Sequence, residues 1–382
     1  MKLDKKRLKK KFDEKYTKAK YYLSRSDIIF RASLTLLLTT IFVILFFAFG
    51  GNLYFTSVRA VSEFKGYPLQ VHAINVGQGD CTLIKFPNNE TMLIDAGRSG
   101  EGERVVAYLK NFFKNEGLNK INYLVLTHSD SDHIGGAIDV LQNIEVDTVY
   151  RPNIYTQEEA DELTDGSQVY VVDTQTYNTI IDLIGQKECN VVVTKSGESM
   201  NLGGARVEFL SPNEEYYSDS NSFSAVIMIT YQTKKFLFLG DAGVDIENAL
   251  IEEYGSYLDA DVLKVGHHGS ATSSSDAFLD IVSPSYSLMY ISSNKDFPDT
   301  SVVNKLRELG SEIYSTYLEG DFAMTVCDNS IIFADAPEPT FDIALLISIY
   351  VILVLLTWGI KNPAPTLTKP RKVKNKTLQD GD

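Results

Sequence analysis

The stretch "LTHSDSDHIGG", residues 126–136, sets His128, Asp130, Asp132 and His133 within six positions and closes on two glycines. Imidazole nitrogens and carboxylate oxygens are donors for Zn²⁺, Mn²⁺ or Fe²⁺, and carboxylates crowded this closely repel unless a cation lies between them. In an extended loop His128, Asp130 and Asp132 would project to one side, with His133 adding a second nitrogen. The glycine pair predicts a tight backbone turn around the site. Of the chain's five histidines, two more are adjacent in "LKVGHHGS", His267 and His268, while "FLFLGDAG" exposes Asp241 directly after an apolar run. The fifth, His72, has apolar neighbours in "LQVHAINV" and reads as a packed core or supporting histidine.

Each of these groups follows an apolar run, so each is expected at a strand end, where a rigid sheet can hold ligands from distant parts of the chain. "LQVHAINV" reads as a strand, "CTLIKF" and "TMLIDAG" as a hairpin turned by "PNNE", "ERVVAYLKNFFKNEG" as a helix stopped by glycine, and "INYLVLT" as the strand that feeds the opening motif. A second series follows: strands in "ARVEFLSP", "SAVIMITY" and "KKFLFLGD", a helix in "VDIENALIEEYG", then "ADVLKVGHHGS", "SYSLMYIS", "VVNKLRELG" and "FAMTVCD". Two strand series with helices between them predict an α/β fold. A four-layer αβ/βα sandwich gives this order, and so does an ordinary α/β sheet. Three scattered cysteines, Cys81, Cys189 and Cys327, suggest neither a disulfide framework nor a thiolate metal site.

Residues 32–50 and 343–360 carry no charge, and as helices each would be roughly 27 to 29 Å long, close to the hydrocarbon thickness of a bilayer. Residues 1–31 have net charge +8, residues 361–382 net +4, and residues 32–360 net −26. Basic flanks stay in the cytoplasm. The expected organisation is a basic tail 1–31, a transmembrane helix 32–50, a connector 51–66, a domain 67–336 outside the cell, a transmembrane helix 341–360 and a basic cytoplasmic tail 361–382. A cleaved signal peptide ending at Ala60 is the competing reading of the first run.

The order "LIDAG", "THSDSDHIGG", "FLGDAG", "HHGS" resembles the metallo-β-lactamase fold superfamily. More narrowly, "INVGQGD", "ADVLKVGHHGS" and "FLGDAG" are similar to the metallo-β-lactamase domain of ComEC-type DNA-uptake proteins, over about residues 69–335. The resemblance implies a four-layer αβ/βα sandwich and a two-metal hydrolase. By it, His128 and Asp130 serve one divalent ion, Asp132, His133 and His267 the other, and Asp241 bridges them. Asp80, Asp95 and Asn221 support these ligands from behind. Asp132 and His268 take catalytic roles, His268 either as a proton donor to the leaving group or as a structural residue hydrogen-bonding its loop. Two ions of this kind hold a hydroxide between them and polarise the oxygen under attack. Asp130 stands where the superfamily usually has a second histidine, and "NSFSAVIMI" offers Asn221 where the wider superfamily has another. The first site is therefore richer in oxygen, which favours Mn²⁺ over Zn²⁺ there. "INVGQGD" also has Asn75 where the family commonly has Asp.

The expected function is a membrane-anchored phosphodiesterase or nuclease acting on single-stranded DNA or another extracellular phosphodiester. Its partners would be the lipid bilayer, the substrate and other membrane proteins, since two spans cannot conduct DNA. The net −26 opposes a long polyanion, because sequence-blind nucleic-acid binding depends on Lys and Arg neutralising phosphates. A catalytically weak, membrane-tethered binding or assembly module is the alternative, as is an acyl (lactam or lactone) hydrolase; the Asp130 and Asn221 changes weigh against the acyl hydrolase.

Overall fold

The computed structural model describes residues 10–18, 29–30, 32–37, 39–40, 64–164, 168–293 and 297–334. The chain divides into two units, residues 1–50 with 340–382, and residues 51–339. In the first, residues 10–18 and the described part of 29–40 are helical. Among the described residues no helix is long and apolar enough to cross a membrane. The span expected at 341–360 and residues 41–50 of the first lie outside the described residues.

In the second unit, alternation at the start of the domain sets the layering. In β1 (Gln70–Ala73) Val71 and Ala73 face one way, into a core shared with the other sheet, while Gln70 and His72 face the other. Strands β2 (Thr82–Lys85) and β3 (Thr91–Ile94) form the expected antiparallel hairpin. The glycine-stopped helix α1 (Gly102–Glu116) crosses over to β4 (Lys120–Val125), which pairs parallel with β3. With β5 (Glu145–Arg151), β8 (Asn190–Val193), β16 (Phe322–Cys327) and β17 (Ser330–Phe333) this makes an eight-stranded sheet, β17-β16-β1-β2-β3-β4-β5-β8, while β6 (Ile154–Tyr155) and β7 (Tyr170–Val171) form a separate pair. Strand β5 and the two edge strands β8 and β17 escape the sequence reading.

The second series, preceded by β9 (Ser199–Leu202), builds a seven-stranded sheet in the order β15-β14-β13-β12-β11-β10-β9. Strands β10 (Ala205–Ser211), β11 (Val226–Tyr231) and β12 (Lys234–Phe238) are antiparallel neighbours. Strands β13 (Val262–Lys264), β14 (Tyr286–Met289) and β15 (Glu312–Ser315) then add in parallel. Phe86, Val207, Phe209, Ile227 and Phe236 fill the space between the sheets. Each such fully buried side chain contributes about 1.5–3 kcal/mol relative to exposure. Helices cover both outer faces. Leu109 and Phe112 of α1 pack on the first sheet, and Ile246 and Leu250 of the helix Val244–Tyr254 on the second. The result is the four-layer αβ/βα sandwich. The three cysteines are free, with Cys81 buried.

Candidate metal centre

The parallel strands β3, β4, β12 and β13 all end at one rim, and the loops that follow them carry the chemistry. After β3, Asp95 adopts a left-handed φ of 56°, and its carboxylate accepts from Thr127 N at 2.9 Å and Thr127 Oγ1 at 2.7 Å. The same carboxylate lies 2.7 Å from His133 Nδ1. One buried acid therefore fixes the start of the histidine loop and orients the ring at its end.

The loop is extended only as far as Asp130, which caps the short helix Ser131–Ile134. That turn brings His133 back under His128, with ring centroids 4.2 Å apart. Gly135 and Gly136 keep ordinary φ values of −58° and −74°, contrary to the turn expected of them. Their requirement is room: a Cβ at Gly135 would lie 2.2 Å from Ser99 N, and one at Gly136 2.1 Å from Ala96 O.

The second sheet supplies the remaining donors. Asp241 follows β12, and its backbone N–H donates to Ser224 Oγ at 3.1 Å. After β13, His267 and His268 are both left-handed, at φ 45° and 55°. Neighbours on an extended chain point to opposite faces, but this conformation turns both rings to the same carboxylate. Both Nε2 atoms lie 3.7 Å from Asp241 Oδ2. Such backbone typically costs about 1–3 kcal/mol per residue, so the surrounding packing must hold it in place. His268 is buried, whereas the His267 side chain is 28% exposed.

Two groups of donors result: His128 with His133 and Asp241, and Asp80 with His133 and His268. His133 Nε2 is 3.1 Å from Asp241 Oδ1, His128 Nε2 is 3.9 Å from Asp241 Oδ2, and His268 Nδ1 is 3.4 Å from Asp80 Oδ1. Asp132 Oδ2 reaches His268 Nε2 at 3.3 Å. Asp130, half exposed, lies 3.8 Å from His128 Nε2. This grouping differs from the one the resemblance implies. His133 belongs to both groups, His268 and Asp80 stand with it in the second, and Asp130, Asp132 and His267 lie outside both. Gly79 allows Asp80 its place: it has φ 141°, and a Cβ there would lie 2.1 Å from Asp132 O. Asn221 lies in the turn Asn221–Phe223, which leads into Ser224.

Sequence reasoning missed Ser224 and Lys264. Lys264 ends β13 with its Nζ 2.5 Å from Asp80 Oδ2.

His128 Nε2, His133 Nε2, His268 Nδ1, Asp80 Oδ1 and Asp241 Oδ1 are buried without hydrogen-bond partners. Buried polar atoms are normally satisfied. Five orphans converging from four loops, on soft nitrogen and hard oxygen donors, fit divalent cations. The electrostatics agree. Burial opposes charge on His133, but Asp241, Asp80 and Asp95 outweigh it and lift the ring's basicity well above the ordinary value. Burial likewise opposes charge on His268, yet Asp241 and Asp132 raise it to about 9. For Asp132, burial is outweighed by the His268 hydrogen bond and His133, bringing it down to about 2. The cluster is an anionic field that attracts positive charge.

A family model described as the metallo-β-lactamase superfamily matches residues 74–293. The chain belongs to that superfamily. Among curated proteins, this metallo-β-lactamase chain is 30% identical over 259 residues to Recombination protein 2 of Haemophilus influenzae, covering 66% of this chain and 28% of that protein. It is 28% identical over 251 residues to Competence protein ComA of Neisseria gonorrhoeae, covering 64% and 30%. The domain thus matches the metallo-β-lactamase domain of ComEC-type competence proteins, and the chain spans less than a third of those relatives' length. Zn²⁺-bound PqqB from Methylobacterium extorquens is similar at 12% identity and TM-score 0.41, covering 68% of this chain and 100% of that one.

Proposed function

We propose that the protein is a membrane-anchored, metal-dependent phosphodiesterase. The observation that carries this reading is the convergence of five orphaned buried donors in a set where Asp80, Asp132 and Asp241 accompany the histidines. His128, His133 and Asp241 would hold one divalent ion, and Asp80, Asp132 and His268 a second, with Asp241 within reach of both. His133 serves one ion only, because its Nδ1 is engaged by Asp95. Divalent ions, when bound, supply Lewis acidity toward a phosphoryl oxygen and lower the proton affinity of water. The oxygen share of the set favours Mn²⁺ over Zn²⁺.

The chain's own residues do the rest. Asp95 fixes the tautomer and direction of His133 through Nδ1. Asp132, partly exposed at the mouth, accepts from His268 and can take a proton from the attacking group. The partly exposed His267, outside both donor groups and with Nδ1 held by Thr272 Oγ1, is placed to turn Nε2 toward a leaving group. Competence and recombination, in the relatives' names, point to DNA as the first substrate, and the acidic surface favours single strands or short ends over long duplex. The uncharged runs 32–50 and 343–360 support a two-span anchor, and the basic tails support cytoplasmic termini.

The test is turnover by the full chain in detergent with an activated phosphodiester, an activated phosphomonoester and a β-lactam, in Mn²⁺ and in Zn²⁺. The diester should be preferred and its turnover lost in Asp132→Asn. A preference for the β-lactam, or diester turnover unchanged in that variant, would refute the reading. For the anchor, Glu215, whose side chain is 78% exposed, is replaced by cysteine in a chain lacking Cys189 and Cys327. Labelling of intact cells by an impermeant thiol reagent is expected; labelling only after lysis places the domain inside.

A further inference from the structure

Lys264 lies at the end of β13, its side chain 2% exposed, where a methionine would fill the same space. Its Nζ is 2.5 Å from Asp80 Oδ2, donates to Gly240 O at 2.8 Å, and stands 3.8 Å from Asp241 Oδ1. It therefore touches one carboxylate from each donor group. By engaging Asp80 through Oδ2 it leaves Oδ1, without a hydrogen-bond partner, turned toward His268 Nδ1 at 3.4 Å. A buried ammonium is unfavourable by several kcal/mol unless it is paired. Here the pairing is with the groups that a divalent ion would otherwise have to neutralise alone.

We propose that Lys264 is a resident cation of the metal centre, a positioning residue that neutralises Asp80 and Asp241 before any metal arrives and fixes Asp80 with Oδ1 toward the other donors. The inference rests on the reading that this centre holds divalent ions. The domain then folds with its donors preset in the absence of metal. An ion entering beside Asp80 does so against a fixed positive charge, so that position binds more weakly than the one formed by His128, His133 and Asp241.

The experiment uses the full chain in detergent, stripped with EDTA, as wild type, Lys264→Met and the double variant Asp80→Asn with Lys264→Met. Thermal midpoints are read without and with Mn²⁺, and Mn²⁺ affinity by calorimetric titration. Metal-free Lys264→Met should melt about 10 °C below wild type, because removing one partner strands a buried charge. Saturating Mn²⁺ should restore most of that loss, with binding roughly tenfold tighter once the like charge is gone. Asp80→Asn should also restore it, because the stranded charge goes with it. If Lys264→Met does not fold without metal, its folding on Mn²⁺ or the folding of the double variant supports the inference, and failure of both overturns it. An unchanged metal-free midpoint, a loss recovered by neither route, or weaker Mn²⁺ binding overturns it as well. Wild type that binds no Mn²⁺ refutes the metal reading itself; wild type that binds Mn²⁺ while Lys264→Met behaves identically refutes the role of Lys264 alone.

Discussion

Two regions of the sandwich bury histidine equally deeply and to opposite ends. Beneath α1, His72 is fully enclosed, with Nδ1 2.8 Å from Tyr108 Oη and Nε2 3.1 Å from Gln70 Oε1, and its ring packs edge-on to Phe112. At the rim, His128, His133 and His268 are as buried, but each leaves a nitrogen without a partner. Around His72, burial, reinforced by Lys85, holds the ring neutral down to about pH 3. Around His133, three carboxylates overcome burial and favour the charged form. Burial alone thus does not mark a functional histidine. Unmet donors in an anionic surround do.

The largest expected effect that sharpens this contrast is at the rim. Asp241→Asn, which removes the carboxylate of the His128–His133 group that also lies 3.7 Å from His268 of the other, should lower kcat/KM for a phosphodiester by on the order of 10³-fold, from several kcal/mol of lost ion-mediated stabilisation. Asp95→Asn keeps every direct donor and disturbs only the direction of His133. Its expected loss is smaller, roughly 10- to 100-fold in metal affinity or activity, measured by titration beside steady-state kinetics. On the other side of the comparison, His72→Leu should lower unfolding free energy by about 2 kcal/mol by stranding the Tyr108 hydroxyl. It should leave kcat/KM within about twofold, since His72 lies under α1 and outside both donor groups. A large kinetic effect there would erase the distinction.

The remaining contrast is in pH dependence. His72 has its folded value depressed from 6.5 to about 3, so the unfolded chain binds more protons in between. Its contribution to stability is full above about pH 6.5 and declines as pH falls toward 3, by about 1.4 kcal/mol per unit. Denaturant titrations of wild type and His72→Leu across that window should differ by this slope. Parallel curves would contradict the neutral assignment.

Much of this was legible before the fold was known, for a physical reason in each case. His128 to His133 form a local motif. Asp241 and His267–His268 stand out because each follows an apolar run that has to be a strand. The two strand series with intervening helices read as a sandwich because alternation and helical spacing are local signals. What escaped was non-local. Asp80 reads as a supporting residue because only the close approach of Gly79 to the Asp132 main chain brings it into the cluster. Lys264 reads as an ordinary strand residue, since nothing in "DVLKV" tells which face it takes. That His268 is the buried member of the pair depends on two consecutive left-handed residues, a conformation sequence does not announce in a pair of histidines. Strand β5 and the edge strand β8 escape because their partly exposed, mixed faces blur the alternation.

The central claim is that the rim donors, and not the equally buried His72, hold metal. Equilibrium dialysis of the full chain against Mn²⁺ or Zn²⁺, followed by elemental counting, tests it directly in wild type, His133→Ala and His72→Leu. Wild type and His72→Leu should retain ions to the same stoichiometry, and His133→Ala should lose most of them. Wild type that retains none, or His133→Ala that retains as many as wild type, would contradict the account.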